Sequence, residues 1–521
     1  MRIKIIVLSL VLAQVTAPLM EGQEVVKRVS LEDCIVGALK NNLGVAVQVL
    51  NPRLADLSVG LAKEQFLPSL TFDFNKSETN SPSYSWLEAE DKVTDRTDDY
   101  TTRLSQLVPT GGTFSILLYA DKTDTSRKFQ TINPSYRSWL SFSFSQPLLR
   151  DFGLKVTKRE IIIASHNLDI SEQNFKSSLL GTVYNVEEAY WNLVYAIENL
   201  KVKQQSLKLA QDLLAKNKRE VEVGMLAPIE ILTAESEVAT READILQAEA
   251  LIQNSEDSLK TIMNLAAEQD INLTEIVPLD TPAYEKKDIT IEEALTIGIQ
   301  NRPDLEASRI DIKSKDVEFS VAKNQLLPDL RFRASYWSPG ISGTRIFYLD
   351  GNPLTKVIVN TVPGDASQAL KDAFGFKYKN WSIGLTLSLP MDTLLSRAQY
   401  AQAKVNLKQA KLTLQNQEQQ AFLEIRNAVR DVQTNFKRIQ AYKAARELAE
   451  KKLEAEEKKL KVGLTTNYIV LQHQRDLADA RGTELRAIID YNLSLASLDK
   501  ALGTTLAKKN IKISEIKASF D

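Results

Sequence analysis

What most constrains this chain is a pair of unbroken helical runs, 150–223 and 391–462. In the second, Phe422, Ile425, Val429, Val432, Phe436 and Ile439 recur at alternating spacings of three and four. Val183, Val186, Tyr190, Leu193, Ile197 and Leu200 repeat that rhythm in the first, position for position and without a gap. A mean spacing of about 3.5 is the seam of a coiled coil rather than the stripe of a globular helix. Neither run contains proline, and both close on Val-Gly, at Val223-Gly224 and Val462-Gly463. At 1.5 Å per residue, roughly 70 helical residues reach on the order of 105 Å. Helices of globular domains average about 11 to 12 residues, so these runs span a distance.

The runs belong to a larger duplication. Residues 29–42, which open with a helix cap at Ser30, are echoed by 289–301. Leu67-Pro68-Ser69-Leu70 is echoed by Leu327-Pro328-Asp329-Leu330. Each half then reads helix, strands, long helix, Val-Gly turn and returning helix. This places one structural repeat with its linker at 23–288, a second at 289–503 and a charged tail at 504–521. Helix is expected from each opening to its Leu-Pro, and returning helices of about 40 residues are expected to end at Leu265 and Leu502.

Composition removes whole classes of function. At a net charge of −2, with charges spread along helices, no basic surface points to nucleic acid. The two histidines, His166 and His473, have no second ligand at metal spacing and read as exposed helical residues. No Ser/His/Asp set or Gly-rich phosphate loop occurs, so neither an enzyme nor a cofactor or metal site is expected. Residues 1–22 read as a secretory signal peptide, with Arg2 and Lys4 ahead of an apolar run at 5–13. No later stretch of about 18 apolar residues follows, so no transmembrane helix is expected. The one cysteine, Cys34, is preceded by Glu32 and Asp33 and reads as a small buried thiol rather than a lipid anchor.

After each Leu-Pro the period changes to two. Leu70, Phe72 and Phe74 alternate with Thr71, Asp73 and Asn75, and Leu140, Phe142 and Phe144 with Ser141, Ser143 and Ser145. Leu330, Phe332 and Ala334 alternate with Arg331, Arg333 and Ser335, and Ile383, Leu385 and Leu387 with Gly384, Thr386 and Ser388. Apolar-out, polar-in segments of about ten residues mark a membrane barrel with a wet lumen, although a half-buried soluble sheet alternates in the same way. Trp86, Trp139, Trp337 and Trp381, with Tyr136, Tyr336 and Tyr378, sit at or beyond the strand ends farthest from the long helices. That is where membrane-interface aromatics belong. Polar loops at about 76–99, 121–135 and 338–377 would face outward. The first half also carries a surplus in which 100–108 and 113–120 read as an extra hairpin, either added to the wall or folded inward as a plug.

Four to six strands cannot close a barrel, since the smallest membrane barrels have about eight, and lipid tolerates no open sheet edge. Several copies must therefore share one barrel. Strands in a membrane with helices of about 100 Å beyond it describe a conduit.

In its motifs the chain resembles the TolC-type outer-membrane efflux family across nearly all of the sequence after the signal. The matching segments are the openings 31–42 and 291–304, both Leu-Pro strand entries, Gln146-Pro147-Leu148, the turns 223–230 and 462–468, and the closing 498–503. The resemblance implies an α+β membrane protein in the outer membrane with a large periplasmic portion. It implies a homotrimer with one 12-stranded β-barrel, continued by a periplasmic α-helical coiled-coil barrel. It also implies two partners, an inner-membrane pump and a periplasmic adaptor of the membrane-fusion type, serving efflux or type I secretion. In that family the turns are the tips that close the tunnel and meet the adaptor, which here are Val223, Gly224 and Met225, and Val462, Gly463 and Leu464. Some members carry acidic rings at the sixth residue after the glycine, a place held by Glu230 in the first turn and by Ile469 in the second. A first-turn carboxylate also suits a helix N-terminus, whatever its other role. The competing expectation is a soluble periplasmic coiled-coil scaffold, which explains the heptads but leaves the aromatic-rimmed strands unexplained.

Overall fold

The structure is a computed structural model that describes residues 25–84, 88, 91–265, 274–282, 284–389 and 393–520. The signal-like segment 1–22 and Trp86 lie outside the described residues. The chain begins with β1 (Val25–Val29), α1 (Leu31–Asn41) and α2 (Leu43–Glu64). Four strands follow, β2 (Ser69–Pro82), β3 (Lys92–Leu107), β4 (Thr113–Thr125) and β5 (Ile132–Pro147). Next come a short α3 (Leu154–Thr157), the long α4 (Arg159–Glu222), the returning α5 (Ile229–Ile262) and β6 (Thr274–Pro278). The second half holds α6 (Ile291–Asn301), α7 (Pro303–Asn324), β7 (Asp329–Tyr348), β8 (Ile358–Val362), α8 (Ala366–Phe374) and β9 (Asn380–Ser388). It continues with the long α9 (Leu394–Lys461), the returning α10 (Asn467–Ala501), and two short helices, α11 (Thr505–Lys508) and α12 (Ile513–Ser519).

Both long helices form, at 64 and 68 residues. Positive φ at Asp151 and Gly153 keeps helix from forming before Leu154, and a turn at Lys158 then separates the short α3 from α4, which starts at Arg159 rather than near 150. The returning helices are 34 and 35 residues, shorter than expected. Each opening helix is also broken once. Asn42 is extended, its Nδ2 donates to the Ile262 carbonyl at 2.8 Å, and its Oδ1 accepts from the Val45 amide at 3.1 Å, capping α2. Arg302 is extended in the same way ahead of Pro303. The caps themselves recur: Ser30 with Asp33, and Thr290 with Glu293, each exchange side-chain bonds with the partner's amide, a capping box at both openings.

The chain divides into two compact units, and each draws on both sequence halves. One comprises Met1–Val47, Ser178–Asn301 and Ala421–Asp521. Here the heptad seams are buried: Val183, Val186, Tyr190 and Leu193 are fully enclosed, as are Ile425, Val429 and Ile439. Ile197 and Leu200 are half-buried, and Phe422, at the end of its seam, stays 38% exposed. Ala294 of α6 joins the α9–α10 cluster around Ile425, Val432, Tyr491 and Leu498. A Cβ at Gly298 would collide with Ile425, so glycine sets how closely α6 approaches α9. Two strands that alternation does not reveal, β1 and β6, pair in parallel. Tyrosines pin that region: the Tyr190 hydroxyl donates to Asp280 at 2.7 Å, and the Tyr491 hydroxyl donates to the Glu285 carbonyl at 2.5 Å.

The other unit, Gln48–Ser177 with Arg302–Gln420, holds the sheet. Its order is β2-β3-β4-β5-β7, with β9 on the far side of β7's first half and the short β8 beside its second half. Every neighbour is antiparallel. The strands run well into the segments expected as loops, since β2 reaches Pro82 and β7 reaches Tyr348. Alternation fades there because both faces become polar. The ladder nevertheless persists, with cross-strand pairs such as Arg96–Glu78, Lys76–Asp98 and Thr97–Thr123.

Candidate functional site

Two regions carry the residues that sequence reasoning singled out, one in each unit. In the first, α4 and α9 end alike. Gly224 and Gly463 both sit at φ +75°, and the amides of Met225 and Leu464 reach back to the carbonyls of Glu220 and Lys459 at 2.8 and 3.0 Å. The glycine amides bond to Val221 and Leu460 at 2.9 and 3.1 Å. This is the Schellman arrangement, in which the residue after the last helical one must be left-handed. Val223, Met225, Val462 and Leu464 flank the glycines at 69%, 79%, 68% and 77% exposure. Four large apolar side chains thus project into solvent beside two rigid turns, which suits a surface awaiting a partner.

Behind these turns, α4, α5, α9 and α10 bury Ala210, Leu213, Ala234, Leu453 and Val470 together. A polar network that sequence reading missed lies within this cluster. Arg241 of α5 is 4% exposed; its guanidinium donates to the Ser206 carbonyl at 2.6 Å, the Ser206 hydroxyl at 2.9 Å and the Leu471 carbonyl at 3.2 Å. It also pairs with Glu237 at 3.1 Å, and Arg475 of α10 grips the same carboxylate from the other side, which raises the Arg475 pKa further. Burial of an arginine demands such saturation of its donors. Glu230 occupies the first turn of α5 and is half-buried, with Oε2 shielded and unbonded among the described residues. Neither histidine is exposed: His166 is half-buried with Nδ1 2.9 Å from the Ser314 hydroxyl, and His473 is half-buried with Asp476 at 3.4 Å. Among the described residues no cluster could hold a metal.

In the second region the register sorts side chains onto two faces. Directly opposed residues share a face. On one lie Leu70, Phe72 and Phe74; Leu104; Phe114, Ile116 and Leu118; Leu140, Phe142 and Phe144; Phe332, Ala334 and Tyr336; and Trp381, Ile383, Leu385 and Leu387. On the other lie Thr71 and Asp73; Arg103 and Ser105; Ser141 and Ser143; Arg331 and Arg333; and Ser382 and Thr386. The expected interface aromatics do not form one set. Tyr336 and Trp381 stand on the apolar face, whereas Trp139 and Trp337 stand on the polar one. There Trp139 and Tyr119 lie 5.0 Å apart beside a cleft of about 470 Å³ that Tyr378 and the Asp121–Arg137 ion pair also line. Aromatic identity was legible from sequence; the side of the sheet needed the register. On the apolar face, Phe376 just past α8 stacks on Phe142 and Tyr336.

A third feature was overlooked altogether. Leu43, Val47, Leu50, Leu54, Leu57 and Leu61 of α2 keep the heptad rhythm, yet all are 48–68% exposed. The rhythm was visible, but not that among the described residues this seam stays largely uncovered.

These features agree with the comparisons to known proteins. The profile of the outer membrane efflux protein family matches residues 34–265 and 295–504. Nodulation protein T of Rhizobium leguminosarum bv. trifolii is 23% identical over 357 residues, covering 68% of this chain and 70% of that protein. Outer membrane protein TolC of Vibrio cholerae is 23% identical over 346 residues, covering 64% and 70%. The fold is shared with the Campylobacter jejuni CmeC outer membrane channel, at a TM-score of 0.63 and 18% identity over 94% of this chain and 90% of that one. With both blocks of the profile matched, the chain belongs to the outer membrane efflux protein family.

Proposed function

We propose that the chain is the outer-membrane exit duct of a tripartite efflux or type I secretion system, working as a homotrimer. As a member of an efflux family it is a transport protein rather than an enzyme. The observation that carries the finer reading is the two-faced sheet. A face crossed by the apolar row Leu70, Leu104, Ile116, Phe142, Tyr336 and Trp381 suits hydrocarbon, and an opposite face rich in Ser, Thr and Arg suits a water-filled lumen. The outer strands support self-assembly. β2 is exposed along nearly its whole length and β9 likewise, so each presents an unpaired edge that a bilayer does not tolerate. The uncovered heptad seam on α2 supports the same reading, since a neighbouring copy could close it.

In this reading cargo enters from an inner-membrane pump and leaves through the barrel. The exposed apolar residues of the two Schellman turns receive the periplasmic adaptor, and Glu230 contributes one acidic ring to the tunnel. Tyr336 and Trp381 anchor the barrel at the lipid interface, while Trp139, Trp337 and Tyr378 line the mouth instead. The deciding experiment is the mass of the protein extracted by detergent from isolated outer membranes. A trimer is expected. A monomer or dimer released without detergent would overturn the proposal in favour of a soluble assembly.

A further inference from the structure

We infer that the β3–β4 hairpin is part of the barrel wall, so that each chain contributes six strands and a trimer closes a barrel of about eighteen, not twelve. The inference rests on the membrane-duct reading above and specifies the duct's width.

The first observation is the ladder. β3 pairs with β2 from Ser69↔Ser105 to Pro82↔Lys92, and β4 pairs with β5 from Thr113↔Ser145 to Thr123↔Ser135. β3 and β4 pair with each other from Asp95↔Thr125 to Leu107↔Thr113. A plug would leave β2 beside β5; here two full strands separate them. The second observation is chemical. Leu104 opposes Leu70, Ile116 opposes Leu104, and Phe142 opposes Ile116, so one apolar row crosses the hairpin without a gap, flanked on β3 by Thr102 and Gln106. On the opposite face Arg103 opposes Thr71, and Ser115 bonds to Ser143 across the β4–β5 pair at 2.8 Å. A hairpin bathed in a lumen on both sides has no use for Leu104, Phe114, Ile116 and Leu118 in register with its neighbours' lipid face. The third observation is topological. Six antiparallel strands, an even number as four would be, leave the edge strands β2 and β9 running in opposite directions, so adding the hairpin still lets β9 of one copy meet β2 of the next antiparallel.

Barrel diameter grows roughly linearly with strand number, so this mouth is about 1.5-fold wider than a twelve-stranded one. Barrels of about 16 to 18 strands keep an open aqueous channel, which would admit bulkier cargo.

Single cysteines in the full chain, in isolated outer membranes, test this with a membrane-impermeant hydrophilic maleimide. Cys34 is fully buried and gives no background. The edge strands supply Phe72→Cys and Leu385→Cys on the apolar face, with Thr71→Cys and Thr386→Cys on the polar face. The hairpin supplies Leu104→Cys, Ile116→Cys and Leu118→Cys against Arg103→Cys and Ser115→Cys. The expected result is rapid labelling at every polar-face site and at least tenfold slower labelling at every apolar-face site, hairpin included. If the three apolar hairpin sites react as fast as Arg103→Cys while Phe72→Cys and Leu385→Cys stay protected, the hairpin is not in the wall and the inference falls alone. If Phe72→Cys and Leu385→Cys react as well, the membrane reading itself has failed.

Discussion

At the scale of single residues, backbone conformation and burial decide more than charge. Gly463 sits at φ +75° and a Cβ there would meet nothing, so any loss on substitution comes from the left-handed backbone alone. Gly463→Ala should lower stability by about 1 kcal/mol, and Gly463→Asn by less, in thermal melts. Cys34 makes a complementary case. Burial, aided by the Asp33 charge, pushes its thiol up to about 12. An unfolded thiol ionises near about 8.5, so the stabilisation is intact below that pH and is lost as pH climbs toward 12. Folded protein should therefore resist maleimide at pH 8, and react on unfolding or in strong alkali. Sequence alone placed a small buried thiol at this position, and its buried position agrees.

At the scale of elements, the heptads set the long helices, but the ties between them had to be seen. Arg241 and Glu237 are 4% and 12% exposed, whereas Arg475 is 56% exposed. Removing one member of a buried pair strands the other, so Arg241→Ala should cost about 3 to 5 kcal/mol and open the turn region to proteolysis. Arg475→Ala, stripping only the exposed partner, should cost under about 1 kcal/mol. Limited proteolysis beside denaturant melts separates the two. Nothing in the spacing marks Arg241 apart from the many surface arginines, because its partners, Ser206 and Leu471, come from distant parts of the chain. The breaks at Asn42 and Arg302 were hidden for a similar reason. An asparagine becomes a cap only once its side chain has found amides to bond.

At the scale of the whole molecule, predictions concern surfaces that a single chain leaves uncovered. Leu54→Glu with Leu61→Glu puts charge in the open seam of α2, where both side chains are mostly exposed and only flank a cleft beside Ile163 and Ala164 of α4. The variant should fold yet migrate as a smaller species when its mass is measured in detergent. Glu230 has meaning only in the assembly. If three copies ring the tunnel, Glu230→Ala should reduce cation selectivity, and unchanged reversal potentials in a planar bilayer would reject that role.

The sequence by itself determined the long helices, the doubled Schellman turns and the alternation of the strands, because these depend on neighbours a few residues away. It could not tell which heptad seams close inside the chain. The seam at Val183 is buried while that of α2 is bare, and both carry the same rhythm. Nor could it put Trp139 and Trp381 on opposite faces, or set the hairpin strands β3 and β4 between β2 and β5. Period-two alternation is indifferent to direction, and a slip of one residue exchanges the faces, so only the pairing of distant strands fixes which side chains share a face.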